Sequence, residues 1–293
     1  MKLSVLIPTY NCDCSHLVHQ LQLQLPQDGE IIVGDDCSTD KDLTQKNKEA
    51  TTLPGCHFFQ AGHNLGRAAI RNALAREAKG EWLLFIDADA EVRSPSFIAD
   101  YMAATEERTA LVVCGGTGNL ALCPRPEARL RYDYEVAAEK RFTVEFRNRF
   151  PYAQFTTFNF LVRRDLFLSI GFDEHCKTYG HEDTLFGLQL KQRGVAIKHI
   201  DNKLTHLGLE DADVYLAKTE TALRSLASMD VKQREHVRVS ALALRLKRWH
   251  LLGMVCVLFQ VCKPLLRANL LGKHPSQKLF AFYKIGAYAQ FET

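Results

Sequence analysis

Residues 82–89 read Trp82-Leu83-Leu84-Phe85-Ile86-Asp87-Ala88-Asp89. Five large apolar residues that stop at two carboxylates are the pattern of a strand buried on both faces and ending at a polar rim. Upstream, Leu65–Lys79 is rich in Ala and Arg, with Asn64 placed to cap its start and Gly80 its end, so it predicts a helix. Further out, Leu3–Ile7, Glu30–Gly34, His57–Gln60 and Leu111–Cys114 are short runs of the same kind. Strand and helix alternating at this spacing predict an α/β domain, a mostly parallel sheet with helices on both faces. Ligands of such sheets bind beyond the carboxyl ends of the strands. Those ends carry Pro8-Thr9-Tyr10-Asn11, Asp35-Asp36-Cys37-Ser38-Thr39-Asp40 and Asp87-Ala88-Asp89, while the later run Phe158–Arg163 follows Phe155-Thr156-Thr157. One such Asp is an ordinary cap; several at adjacent strand ends point to a site.

The 293 residues are 46% hydrophobic and 24% charged, which excludes a disordered, collagen-like or repeat protein. Nine scattered cysteines without a Cys-x-x-Cys fit free thiols of a cytosolic protein better than a disulfide framework. The net charge of +3 hides an asymmetry: residues 232–284 hold eleven Lys/Arg against the single acid Glu235, and the rest of the chain is acidic. The expected organisation is an α/β unit over 1–230, with halves 1–116 and 117–230, and a helical, basic extension over 231–293. Within it, 124–157 reads as helix plus a mobile loop, and Asp213–Ala227 and Arg234–Lys247 read as helices. No apolar run reaches about eighteen residues, so a conventional spanning helix is not expected. The longest, Trp249 to Cys262, is framed by Arg245, Lys247, Arg248 and by Lys263, Arg267, Lys273. That pattern suits a helix lying on an anionic membrane surface; the other reading is a helix packed on the domain or in a homo-oligomer interface. Met1–Ile7 is halted by Pro8 and lacks a cleavage site, so the expected location is the cytoplasm, peripheral on the inner face of the cell membrane.

Asp87 and Asp89, two residues apart, project to one side and form a hard-oxygen pair suited to Mn²⁺ or Mg²⁺ together with phosphate oxygens. Asp36 has two readings: part of a helix N-cap with Ser38 or Thr39, or an acceptor for a ring N–H of a nucleobase, with Tyr10 beside it. His181-Glu182-Asp183 opens a helix, Thr184–Arg193, that closes at Gly194. The helix terminus would lower the pKa of Asp183 while desolvation would raise it. His206 lies about twenty residues further on and is either structural or a third metal ligand.

Taken together, Ser4–Asn11, Gly34–Asp40, Asn64-Leu65-Gly66-Arg67-Ala68-Ala69-Ile70-Arg71-Asn72 and Phe85–Asp89 resemble the amino-terminal half of the family-2 glycosyltransferases. Gly171-Phe172-Asp173-Glu174 and Tyr179-Gly180-His181-Glu182-Asp183-Thr184 look like that family's acceptor-side motifs. The resemblance covers roughly residues 2–210. It implies a GT-A fold and inverting sugar transfer from a nucleotide-diphosphate sugar, with a divalent metal, Mn²⁺ or Mg²⁺. On it, Pro8, Thr9 and Tyr10 line the nucleoside, Asp36 holds the base, and Arg71 meets the donor. Asp87 faces the ribose or a metal-bound water with Ala88 beside it, Asp89 and His206 ligate the metal, and Asp183, next to Glu182, is the general base. Cys37 departs from the usual Gly and His181 from a small residue.

Inverting displacement independently asks for this division of labour, because a base must act opposite a departing diphosphate whose charge needs compensation. Asp36 suits uracil, so UDP is the expected nucleotide, although guanine also donates to a carboxylate. The acceptor is a saccharide or lipid-linked saccharide. The alternatives are a nucleotide-sugar-binding module without turnover and a sugar nucleotidyltransferase. The latter needs a Gly-rich loop after the first strand, where Pro8-Thr9-Tyr10-Asn11 stands instead. No nucleic-acid motif accompanies the basic segment.

Overall fold

The computed structural model describes residues 2–107, 110–174 and 180–292; Cys176 and Tyr179 lie outside the described residues. Among the described residues ten strands alternate with helices: β1 Leu3–Thr9, β2 Gly29–Asp35, β3 Cys56–Gln60, β4 Trp82–Ile86, β5 Ala90–Glu91, β6 Val112–Cys114, β7 Thr117–Gly118, β8 Asn159–Arg163, β9 Ile197–His199 and β10 Leu204–His206. The main sheet runs β3-β2-β1-β4-β8-β6-β9, and a small sheet runs β5-β10-β7. All main-sheet pairs are parallel except those of β8, which runs antiparallel to β4 and β6. The α/β expectation holds, and the reversal of β8 explains why its leading residues, not its trailing ones, reach the rim beside Asp87.

Successive strand side chains point to opposite faces. Leu3, Val5 and Ile7 therefore join Ile31, Val33, Leu84 and Ile86 in one core layer, while Leu6 joins Ile32, Leu83 and Phe85 in the other. Phe85, Phe160, Phe167, Phe172 and Phe186 stack in this second layer at centroid separations of 4.7–6.4 Å. Phe186 lies on helix Glu182–Gln192, so the aromatic layer seats that helix.

The chain divides into two compact units. One comprises Met1–Gly118, Phe142–His175 and Glu182–Gly208; the other comprises Asn119–Arg141, Cys176–His181 and Leu209–Thr293. The second is helical: Arg129–Arg141, Ala212–Ser228, Val231–Arg234, Arg238–Arg248, Leu252–Leu270 and Gln277–Glu292. Leu216, Leu226, Phe259, Phe280, Tyr283 and Tyr288 are buried at its centre.

Several local expectations are corrected. The helix after β3 spans Arg67–Glu77, capped by Gly66 at φ +88° and not by Asn64, whose side chain donates to the Asp36 carbonyl. Gly80 is not its C-cap either, since Ala78 ends the helix in extended conformation. Gly80 is required where the chain crosses β1: a Cβ there would sit 2.5 Å from the Ser4 nitrogen. Arg234–Lys247 is not one helix, because extended Val237 separates Val231–Arg234 from Arg238–Arg248. Trp249 to Cys262 understates the apolar helix, which starts at Leu252 and runs 19 residues to Leu270. It continues through Pro264, which cannot donate to the carbonyl one turn back, at the exposed residue Gln260. By length and composition alone this helix could cross a membrane, with mean hydropathy 1.2. Among the described residues no cysteine forms a disulfide.

Candidate active site

The ends of β1 and β2 are tied together by backbone. The Asp36 amide donates to the Thr9 carbonyl (2.9 Å), and the Asn11 side chain accepts from the amides of Thr39 (2.9 Å) and Asp40 (3.1 Å). Asn11 and Cys37 both lie in the left-handed region, at φ +48° and +59°. Cys37, where the family usually has Gly, thus adopts a backbone conformation that favours glycine. Asp40 caps helix Lys41–Ala50 by accepting from Asp42 and Leu43. Neither Ser38 nor Thr39 is the cap; the Ser38 hydroxyl donates to Asp35. Pro8 is half-buried, the buried Thr9 hydroxyl donates to the Cys12 carbonyl, and the Tyr10 ring is 47% exposed at the rim.

Asp36 is buried, and its carboxylate oxygens accept from the amides of Leu65 (2.6 Å) and Gly66 (2.9 Å). Burial raises its pKa despite these bonds. Asp36 thereby anchors the loop that leads into helix Arg67–Glu77. From the second turn of that helix, buried Arg71 donates to the Arg67 carbonyl (3.0 Å) and to Asp87 at the end of β4. Its guanidinium lies 6.0 Å from the Phe172 ring centroid. Desolvation raises the pKa of Asp87, with Arg71 opposing. The Asp87 amide donates to the Phe158 carbonyl (3.0 Å), which fixes the entry to β8 against the rim.

Asp89 is placed by the small sheet. Immediately after it, β5 pairs antiparallel with β10, with Ala90 opposite His206. His206 Nε2 consequently lies 3.2 Å from Asp89 Oδ2. Gly208 is required here, since a Cβ would overlap that same oxygen. Ala88, between the two acids, is buried in the core layer. Asp89 with His206 supplies one oxygen and one nitrogen donor, a set that fits Mn²⁺ with its other positions left to phosphate oxygens. Among the described residues no group of three or more His, Cys, Asp or Glu converges as a ligand set, because Asp87 is turned to Arg71. The half-buried Cys12 feels this acidic rim: burial, then Asp89, Asp13 and Asp87, push its thiol up to about 11.

Asp183 lies in the first turn of helix Glu182–Gln192, preceded by His181 at φ +74°. Its carboxylate accepts from the Thr184 amide (2.6 Å). Burial first and the adjacent Glu182 second lift its pKa to about 6, so desolvation wins over the helix terminus. Glu182 itself pairs with Arg67 at 3.8 Å. His181 does not act within the first turn: its Nε2 is 3.2 Å from the Ala222 carbonyl.

Two contributors escaped the sequence reading, the first although it stands inside a quoted motif. Asn72 is buried; its amide donates to the Phe172 carbonyl (2.9 Å) and to Glu174 (2.8 Å), and its oxygen accepts from the Phe172 amide (2.9 Å). It clamps the segment 172–174 to the helix that carries Arg71. Gly208 is the other, and its only signal was its position two residues after His206.

A mostly parallel sheet with acids on its carboxyl rim, and a further carboxylate on a separate helix start, is the GT-A arrangement. Solved glycosyltransferases share it. Staphylococcus aureus TarS residues 1–349 superpose with TM-score 0.55 at 19% identity, covering 100% of this chain and 90% of that one. The mannosyltransferase PcManGT from Pyrobaculum calidifontis, solved with GDP-Man and Mn²⁺, superposes with TM-score 0.60 at 16% identity over 99% and 85%. The family is defined more closely by sequence: the model of glycosyl transferase family 2 matches residues 4–171, and the chain belongs to that family. The resemblance drawn from the motifs is thus borne out. The uncharacterized glycosyltransferase YfnE of Bacillus subtilis is 33% identical over 118 residues, 39% of this chain and 30% of its own. The validoxylamine A glucosyltransferase of Streptomyces hygroscopicus subsp. limoneus is 28% identical over 222 residues, 66% of this chain and 48% of its own. This chain therefore spans half or less of the length of these relatives.

Proposed function

We propose that the protein is an inverting glycosyltransferase that moves a sugar from a UDP-sugar to a saccharide or lipid-linked saccharide acceptor. The observation that carries the reading is the separation of roles among the carboxylates. Asp89 with His206 forms a donor set for a divalent ion, whereas Asp183 stands on another element with a pKa lifted to about 6. A base needs that property: a carboxylate near neutrality is still ionised at working pH yet accepts a proton more readily than an ordinary one.

Pro8, Thr9 and Tyr10 line the nucleoside, Tyr10 through its exposed ring. Asp36 acts on the base side, both directly through lone pairs its two amide bonds leave unused and by holding the Leu65–Gly66 turn. Arg71 opposes the rise that burial imposes on the Asp87 pKa and adds positive charge where the diphosphate develops its own. Asp89 and His206 hold Mn²⁺ or Mg²⁺, with Asp87 nearby; when bound, the ion compensates the charge of the leaving diphosphate. Asp183 takes the proton of the acceptor hydroxyl as its oxygen bonds to the anomeric carbon, and the electron pair of the breaking bond leaves with the diphosphate. Glu182 keeps the pKa of Asp183 up by like charge.

UDP is preferred on the character of Asp36, and TarS was also solved with UDP and with UDP-GlcNAc. PcManGT, solved with GDP-Man, represents the other base. Calorimetric titration with UDP and GDP, each with and without Mn²⁺, tests the reading. Manganese-dependent binding of UDP alone supports it. Preference for GDP overturns the base assignment, and no binding of either by folded protein favours the module without turnover.

A further inference from the structure

We infer that the outer face of helix Leu252–Leu270 is a docking surface for a lipid bilayer bearing anionic headgroups, and that the helix lies along this surface. Met254, Val257, Leu258, Val261 and Leu265 recur at helical spacing and are exposed, Val261 and Leu265 by 73% and 75%. They form one apolar stripe along a helix about 28 Å long. Just before it stands Trp249, 68% exposed, an amphipathic ring of the kind that anchors at the headgroup level.

The opposite face is committed to the protein, which suits a helix lying along the surface. Leu252, Cys256, Phe259, Leu266 and Leu270 are buried in the core of the helical unit. Phe259 packs edge-on against Tyr283 at 5.2 Å, and Gly286 lets helix Gln277–Glu292 approach so closely that a Cβ would meet the Phe259 ring at 2.5 Å. A helix committed to protein on one side offers only its other side to lipid.

Charge selects the occupant. Lys263 and Arg267, expected at the lipid, are turned inward instead: Lys263 pairs with Glu220 at 3.2 Å and Arg267 donates to the Tyr283 hydroxyl at 3.4 Å. Arg245 and Arg248 at one end of the stripe, and Lys273 and His274 at the other, are exposed. Apolar side chains flanked by cations match the acyl boundary and phosphates of an anionic leaflet.

Flotation of the full chain with phosphatidylglycerol-containing and pure phosphatidylcholine vesicles tests this without any donor or acceptor, so it stands apart from the catalytic reading. Binding to the anionic vesicles only is expected, and free glycerol phosphate in solution should not compete. Because the substituted side chains are exposed, V261D/L265D should keep the helix content and unfolding midpoint. It should lower partitioning by about tenfold or more. R248Q and K273Q should each lower it by about fivefold. Equal binding to phosphatidylcholine, or no binding to either vesicle, overturns the inference, as does unchanged partitioning of V261D/L265D. A dimer in solution that V261D/L265D dissociates, without vesicle binding, would assign the face to a second copy of this chain.

Discussion

Asp183→Asn separates the chemistry of this carboxylate from its electrostatic cost. The fold raises the Asp183 pKa from 3.8 to about 6, chiefly by burial and then by Glu182. Below about pH 4 the group is protonated in both folded and unfolded chains and costs nothing. Between about pH 4 and 6 the folded chain binds more protons than the unfolded one, so stability falls as pH rises. Above pH 6 the cost is complete, at most about 3 kcal/mol. Asparagine keeps an oxygen to accept from Thr184 and carries no charge. The variant should therefore unfold at higher temperature than wild type at pH 8, by up to about 6 °C for a chain of this size. The gain should vanish near pH 4. Transfer to acceptor should meanwhile fall by about a thousandfold, with UDP affinity retained. In the wild-type pH profile, kcat/KM should drop about tenfold from pH 7 to pH 5, since a group titrating at 6 is about one-tenth ionised at pH 5. Glu182→Gln should move this acid limb to lower pH. An acid limb near pH 4, together with no stabilisation of D183N at pH 8, would refute the argument that burial dominates at this helix start.

Arg71→Met leaves Asp87 without its guanidinium and should cost about 3 kcal/mol in chemical unfolding; a loss well under 1 kcal/mol would mean that water already compensates Asp87. His206→Ala and Gly208→Ala should both raise the Mn²⁺ concentration needed for UDP binding, the first by removing a donor and the second by pushing the Asp89 carboxylate aside. Unchanged metal midpoints in calorimetry would remove Asp89 and His206 from the metal assignment. Asn72→Ala deletes three hydrogen bonds that hold 172–174 and should cost about 2 kcal/mol. It should raise the KM for acceptor while leaving UDP affinity intact, and the opposite pattern would place that segment on the donor side.

The main sheet was legible because its central strands are buried on both faces. An uninterrupted run such as Trp82–Ile86 has no other comfortable place in an α/β chain, and its alternate residues do fill the two core layers. The small sheet was not legible. Ala90–Glu91 and Thr117–Gly118 are two residues each, too short to carry a period, and only the closed register opposite Leu204–His206 makes them strands. Yet this sheet brings His206 to Asp89, so the contact that completes the donor pair rests on the least readable element. Helix ends failed for a related reason. Asn64 looks like a cap by residue type, but its amide is drawn to the Asp36 carbonyl, and Gly66 takes the position through a φ of +88° that its lack of Cβ permits.

Aspartates 36, 87, 89 and 183 looked alike as acids ending apolar runs or opening a helix, and their partners sort them. Asp36 accepts from two backbone amides and so holds a turn; Asp87 takes the guanidinium of Arg71, which opposes the rise that burial imposes on its pKa; Asp89 meets an imidazole. Asp183 has the Thr184 amide and hydroxyl beside it but a second carboxylate, Glu182, as a neighbouring like charge, and burial with that charge lifts its pKa to about 6. Each partner is a different chemical type and comes from a different element: a loop amide, a helix cation, a strand imidazole, a helix-start carboxylate. The four still feel one another's surroundings: Arg71 lowers the pKa of both Asp87 and Asp183, and Asp89 raises that of Asp87. Spreading the four over the ends of β2 and β4, the β4–β5 turn and a helix start gives each a different partner, the division of labour that the proposed displacement of a diphosphate by a hydroxyl asks for.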